Sequence, residues 1–157
     1  MSTDDPRWLD EDERRAWLGL AHLSIQLPAA LDAQLRRDAD IGHFDYMLMA
    51  WLSEAEGRTL AMSEMAELSR SSLSRLSHAM KRLEARGWVT RCPDPSNGRV
   101  TLATLTEAGY AKVVESAPGH LDAVRSLVFD QLSEAEVTQL EAIAGKICGT
   151  ITHQSTT

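Results

Sequence analysis

Seven side chains able to meet nucleic acid fall within residues 71–82: Ser71, Ser72, Ser74, Arg75, His78, Lys81 and Arg82. Arg99 follows beside a tight turn. Short serine hydroxyls approach phosphates or base edges without steric conflict. A planar guanidinium such as Arg75 can bridge O6 and N7 of one guanine. Lys81 and Arg82 suit backbone phosphates, which fix register rather than sequence. A single arginine on a hairpin tip suits the narrow minor groove, where the negative potential is deepest.

These residues need a helix to present them. Leu73, Leu76, Met80 and Leu83 recur at spacings of 3, 4 and 3, an apolar seam that faces a core and turns the polar set outward. Ser71 or Ser72 caps this helix, and Gly87 stands at its C-terminal end. A short helix over 62–68, burying Met65 and Leu68, precedes it. Strands over 88–92 and 99–104 follow, joined by a turn at Asn97-Gly98. That order reads as a helix-turn-helix with a wing, whose second helix enters the major groove.

Helices flank this lobe. An arm over residues 1–9, with Trp8 as its anchor, leads to a helical pattern that runs from Asp10 with an acidic first turn. Its stripe is Trp17, Leu20, Leu23 or Ser24, Leu27 and Leu31; Pro28 kinks or splits it, and Asp40-Ile41-Gly42 ends it. A second helix over 43–54 carries Phe44, Met47, Leu48, Trp51 and Leu52. After the wing, Thr106 caps a long helix reaching Phe129, with a kink at Pro118-Gly119. Ser133 and Glu136 form a capping box for a last helix striped with Val137, Leu140, Ile143 or Ala144, Ile147 and Ile151. The expected fold is mainly α with a small β-hairpin wing. Its parts are N-terminal helices (1–57), the winged lobe (58–106) and C-terminal helices (107–157).

Charge distribution agrees. The net charge of the 157 residues is −7, which alone disfavours nucleic acid. Residues 58–99, however, carry 8 basic and 4 acidic side chains, a net of +4, between arms of −7 and −4. A basic module between acidic arms offers one face to phosphates and orients docking. The hydrophobic share of 43% supports a packed core. Cys92 and Cys148, far apart, form neither a disulfide framework nor a metal cluster and suit a reducing cytosol. The N-terminus lacks the features of a secretory signal and no apolar run spans a bilayer, so a cytoplasmic protein is expected.

Residues 60–106 resemble the MarR family of winged helix-turn-helix transcriptional regulators. The resemblance rests on Leu60, Met62-Ser63-Glu64-Met65-Ala66, Ser71-Ser72-Leu73-Ser74-Arg75-Leu76, Leu83-Glu84-Ala85-Arg86-Gly87-Trp88-Val89, the Arg99 wing and Leu105-Thr106-Glu107-Ala108-Gly109. The flanking helices fit the same plan. The resemblance implies a homodimer whose N- and C-terminal helices interlock, each lobe reading half of a palindrome in double-stranded DNA. It implies repression, and release of DNA by a small, often phenolic ligand between the dimer helices and the lobe. It places Ser71, Ser72, Ser74 and Arg75 on the recognition helix and Arg99 at the wing. One feature departs from the family: the aspartate usually found just ahead of the wing arginine is absent from Asn97-Gly98-Arg99, and the nearest acid is Asp94.

The switch is less legible. Trp17, His22, Phe44, Met47, Met49 and Trp51 could wall a ligand pocket, and would serve equally as core or dimer interface. His22, His43, His78, His120 and His153 are scattered, without metal-ligand spacing. Cys92 beside Arg91 and Cys148 on the last helix's apolar stripe read as structural; the redox branch of the family senses through a first-helix cysteine that is absent here. No cofactor is expected. No nucleophile motif, phosphate loop or paired-carboxylate spacing points to an enzyme. Two alternatives remain: a ligand-independent architectural DNA-binding protein, and a winged helix used for protein contact.

Overall fold

Asp10 opens the first helix by accepting a hydrogen bond from the Glu13 backbone N–H (2.8 Å) while Glu13 accepts one from the Asp10 N–H (3.0 Å). The resulting helix α1, Glu11–Ala39, runs through Pro28 without splitting, contrary to one sequence expectation. The computed structural model describes residues 6–154, with side chains through Ile151. Residues 1–5 of the expected arm and the His153 side chain lie outside the described residues. Two compact units divide between Ser116 and Ala117.

In the first unit, α1 is followed by α2 (His43–Glu54), a 3-10 turn (Glu56–Arg58), β1 (Thr59–Ala61), α3 (Met62–Ser69), α4 (Leu73–Ala85), β2 (Val89–Asp94), β3 (Asn97–Leu105) and the start of α5 (Glu107–Leu127). The second unit holds the rest of α5, a 3-10 turn (Phe129–Gln131) and α6 (Glu134–Gln154). The fold is mainly α with a small antiparallel sheet. No helix among the described residues is long and apolar enough to cross a membrane.

Leu35 of α1, Leu48, Met49 and Leu52 of α2, Met65 of α3, Leu76, Met80 and Leu83 of α4 and Val89 of β2 pack as one buried core. Two seam expectations fail. Leu73 is 66% exposed and Leu68 is 49% exposed, and Ala79 takes the buried place beside Leu76 and Met80. Helical period identifies a face, but the ends of a helix project beyond its packing partner. Cys148, expected to be packed, is exposed, as is Cys92.

The sheet has order β1-β3-β2. β1 was not foreseen: three residues are too few for periodicity to register. It is fixed by pairing Thr59 with Thr104, whose hydroxyls lie 2.8 Å apart. The hairpin turn is also displaced from Asn97-Gly98 to Pro95-Ser96, because Asp94 pairs with Asn97. The Asp94 carboxylate accepts from the Ser96 N–H (2.8 Å) and hydroxyl (2.7 Å), an Asx turn that outcompetes the Asn-Gly signal. Those Ser96 bonds, backbone first, hold the Asp94 carboxyl below its usual range.

α4 ends where Gly87 adopts φ +72°, with Gly87 N–H donating to Glu84 O (2.9 Å) and Trp88 N–H to Leu83 O (3.0 Å). Thr106 ties this end to α5: its hydroxyl donates to Gly87 O (2.7 Å) and accepts from Gly109 N–H (3.0 Å). A Cβ at Gly109 would overlap the Trp88 carbonyl oxygen, a backbone atom that cannot swing aside. Gly109→Ala is therefore expected to destabilise the protein by ~1–3 kcal/mol, read as a lower denaturation midpoint; an unchanged midpoint would refute this close approach.

Candidate nucleic-acid interface

The α3–α4 turn spans residues 70–72. Arg70 closes α3 in the left-handed region (φ 47°), and the Ser69 and Ser71 hydroxyls bond across the turn at 2.7 Å. Ser72 caps α4 by accepting from the Arg75 N–H at 3.2 Å. With 3.6 residues per turn, burying Leu76, Ala79, Met80 and Leu83 points Ser74, His78 and Lys81 directly away from the core. Ser71 is half-buried at the turn, and Ser72 is exposed.

Arg75, Arg82 and Arg86 lie on one flank, above α2 and the end of α1. The Arg75 guanidinium sits 4.2 Å from the Phe44 ring centre. Arg82 donates to both oxygens of Asp45 at 3.0 and 2.6 Å. Arg86 donates to the Asp40 carbonyl and carboxylate, each at 2.5 Å, and covers the Trp88 ring at 4.2 Å. The face that sequence spacing assigned to one polar set thus divides into an open face and a flank engaged within the chain.

Charge available to a partner follows. Arg58 pairs with Glu107 and Arg91 with Glu84. Among the described residues, no ion pair neutralises Arg70, Arg75, Lys81 or Arg99. On β3, pairing jumps from Thr101 to Asn97 and leaves residues 98–100 as a bulge, so Arg99 stands exposed near the wing tip. Among the described residues no ion pair joins it to Asp94, whose Oδ1 accepts both Ser96 bonds.

Lys81 and Arg82 can be told apart experimentally. Lys81→Ala should reduce the slope of log affinity against log salt by about 0.9, the release of one counterion. Arg82→Ala should change it less, because Asp45 already neutralises that charge. Equal slope changes measured by salt titration would contradict the division of the two flanks.

Two clefts adjoin Arg75. One, of about 610 Å³, is lined by Asp32, Arg36, Asp40, Phe44, Asp45, His78, Arg82 and Arg86 among others. The second, of about 510 Å³, is lined by Pro28, Ala29, Asp32, His43, Phe44, Met47, Trp51, Ser69 and Arg75. Phe44, Met47 and Trp51 thus come together as sequence reading suggested. Trp17 (57% exposed) and His22 line neither cleft, and Met49 is core. Asp32 accepts from Arg36 Nε (2.6 Å) and His43 N–H (2.8 Å), which keep its carboxyl below the usual range; burial pushes the His43 imidazole down. Asp32, Asp40 and Asp45 each pair with an arginine of the first cleft, and Arg75 is the cation left over.

Sequence reasoning missed Asp45 and Asp40 as partners of the flank arginines. Asp45 and Arg82 stand 37 positions apart, a separation no local pattern reports.

Residues 44–101 match the MarR family model. The structure is similar to that of Sco3205, a MarR family transcriptional regulator from Streptomyces coelicolor solved in complex with DNA. That likeness has a TM-score of 0.88 and 41% identity, over 92% of this chain and 91% of that one. It is likewise similar to AbsC, a MarR family transcriptional regulator from the same organism, with a TM-score of 0.90 and 31% identity, over 94% and 99% of the two chains. The uncharacterized HTH-type transcriptional regulator YxaD of Bacillus subtilis (strain 168) is 35% identical over 86 residues, 54% of this chain and 58% of YxaD. The chain spans little more than half the length of the curated relatives it matches. Winged lobe, capped reading helix and near full-length likeness converge: the chain belongs to the MarR family of transcriptional regulators.

Proposed function

We propose that the protein is a homodimeric, cytoplasmic repressor that reads a palindromic operator and lets it go when a small aromatic anion enters the clefts beside Arg75. Ser71, Ser72, Ser74, Arg75, His78 and Lys81 of each α4 region meet one half-site, Arg99 enters the adjoining minor groove, and Arg82 supports the rim. Helices of residues 1–57 and 107–157 form the dimer. Sco3205 was solved in complex with DNA, which supports the DNA reading. Exposed Trp17, Leu20, Leu23 and Ile25 on α1, and Leu140, Ile143, Ile147 and Ile151 on α6, support the dimer, because soluble monomers rarely leave so much apolar surface uncovered.

One observation carries the switch: Arg75 both lies in the first turn of the reading helix and lines both clefts without an ion-pair partner among the described residues. A carboxylate on an aromatic ring would pair with that guanidinium and stack near Phe44, holding Arg75 off the DNA. The test is a mobility-shift titration on DNA from upstream of the protein's own gene, with and without aromatic carboxylates. Release by these anions, and none by neutral aromatics of equal size, is the expected result. Binding that ignores every anion overturns the switch, and absence of any specific shift overturns the operator assignment.

A further inference from the structure

We infer that Leu73 reads DNA directly, by packing on the C5-methyl group of a thymine in the major groove of each half-site. The inference rests on the proposed docking of α4. Leu73 is the first residue of α4, and it is 66% exposed. Between residues 58 and 106 the only other large apolar side chain so exposed is Leu68, on α3. In a helix-turn-helix the first helix crosses the backbone while the first turn of the second meets base edges, so Leu73 and not Leu68 is aimed at bases.

Helix geometry narrows its role. At about 100° per residue, Leu73 and Arg75 fall on opposite flanks of Ser74. Arg75 is drawn toward Phe44, whereas Leu73 is left largely exposed. Ser72 and Ser74 on either side are short and exposed, so the branched leucine extends further than its neighbours. Its side chain has no polar atom, which makes a phosphate contact worthless to it. The thymine methyl is the apolar group that major-groove base edges offer. Burying the two against each other removes apolar surface from water on both sides of the interface.

The experiment begins with selection of preferred sites from a random duplex library by the full-length protein. Each thymine of the selected duplex is then replaced in both half-sites by deoxyuridine, which deletes only the methyl group. Affinities are measured by fluorescence anisotropy for wild type and Leu73→Ala, with thermal denaturation confirming that the variant is folded. One thymine is expected at which deoxyuridine weakens wild type about four- to tenfold and leaves Leu73→Ala unaffected. A second selection with Leu73→Ala should lose the thymine preference at that position alone. Identical deoxyuridine sensitivity of both proteins at every position would overturn the inference. Failure of wild type to select any site would instead overturn the operator-reading proposal on which it rests.

Discussion

Ile147→Glu is expected to split the proposed dimer into 17.3 kDa monomers and to lower affinity for a palindromic duplex by about 100-fold or more. Leu140, Ile143, Ile147 and Ile151 recur on α6 at spacings of 3, 4 and 4, and all are exposed. Covering one such side chain contributes about 1.5–3 kcal/mol. A glutamate in its place loses that burial and adds the cost of desolvating an unpaired charge. The effect on DNA is larger than on the dimer alone, because linked half-site binding makes the second contact intramolecular. Light scattering coupled to chromatography reads the mass. A variant that keeps the dimer mass at micromolar concentration would remove α6 from the interface.

Arg75→Ala is expected to cost about 1–3 kcal/mol on a selected operator, and clearly less on random DNA of equal length. The structure adds a condition that sequence spacing did not contain. To reach a guanine, Arg75 must leave the Phe44 ring 4.2 Å away. An exposed cation–π contact contributes roughly 0.5–1 kcal/mol, whereas a good bidentate guanine contact contributes about 1–3 kcal/mol of discrimination. The exchange therefore favours DNA when the cleft is empty. The margin is small enough for a carboxylate in the cleft to reverse it, which is how one side chain can both read and report. Phe44→Ala should accordingly tighten operator binding slightly while weakening the response to aromatic carboxylates. Equal loss from Arg75→Ala on selected and random DNA would sink the base-reading role.

Much of this was legible before the structure, and the reason is local chemistry. Ser72, Thr106 and Ser133 each cap a helix through bonds to residues three positions on, so neighbouring letters suffice to place them. Gly87 was legible because a helix end in the left-handed region favours glycine. The failures share a different cause. The wing turn moved because an aspartate–proline–serine run made better bonds than Asn-Gly, a competition that dipeptide signals ignore. Leu73 left the core because the seam continues by period past the point where its partners stop. Arg82 and Arg75 were expected on an open face, and the structure engages them with Asp45 and Phe44 of α2. Charge pattern reveals that a cation is present, and only the fold reveals whether an acid already holds it.

That distinction changes how the basic block reads. Its net charge of +4 is spread over side chains of two kinds. Arg58, Arg82, Arg86 and Arg91 brace the lobe through acids, while Arg70, Arg75, Lys81 and Arg99 remain for a polyanion. Electrostatic attraction to DNA is therefore carried by fewer side chains than the sequence suggests, and each should show a proportionately larger share of the salt dependence.

The central claim, that a dimer of this chain reads a specific palindrome, is tested most directly by one competition measurement. A labelled duplex selected by the protein is titrated at ~150 mM salt against the same duplex with its half-sites scrambled. The account predicts that the selected duplex binds at least ~10³-fold more tightly, with two subunits per duplex. Equal affinity for the two duplexes, or binding by one subunit, would contradict it.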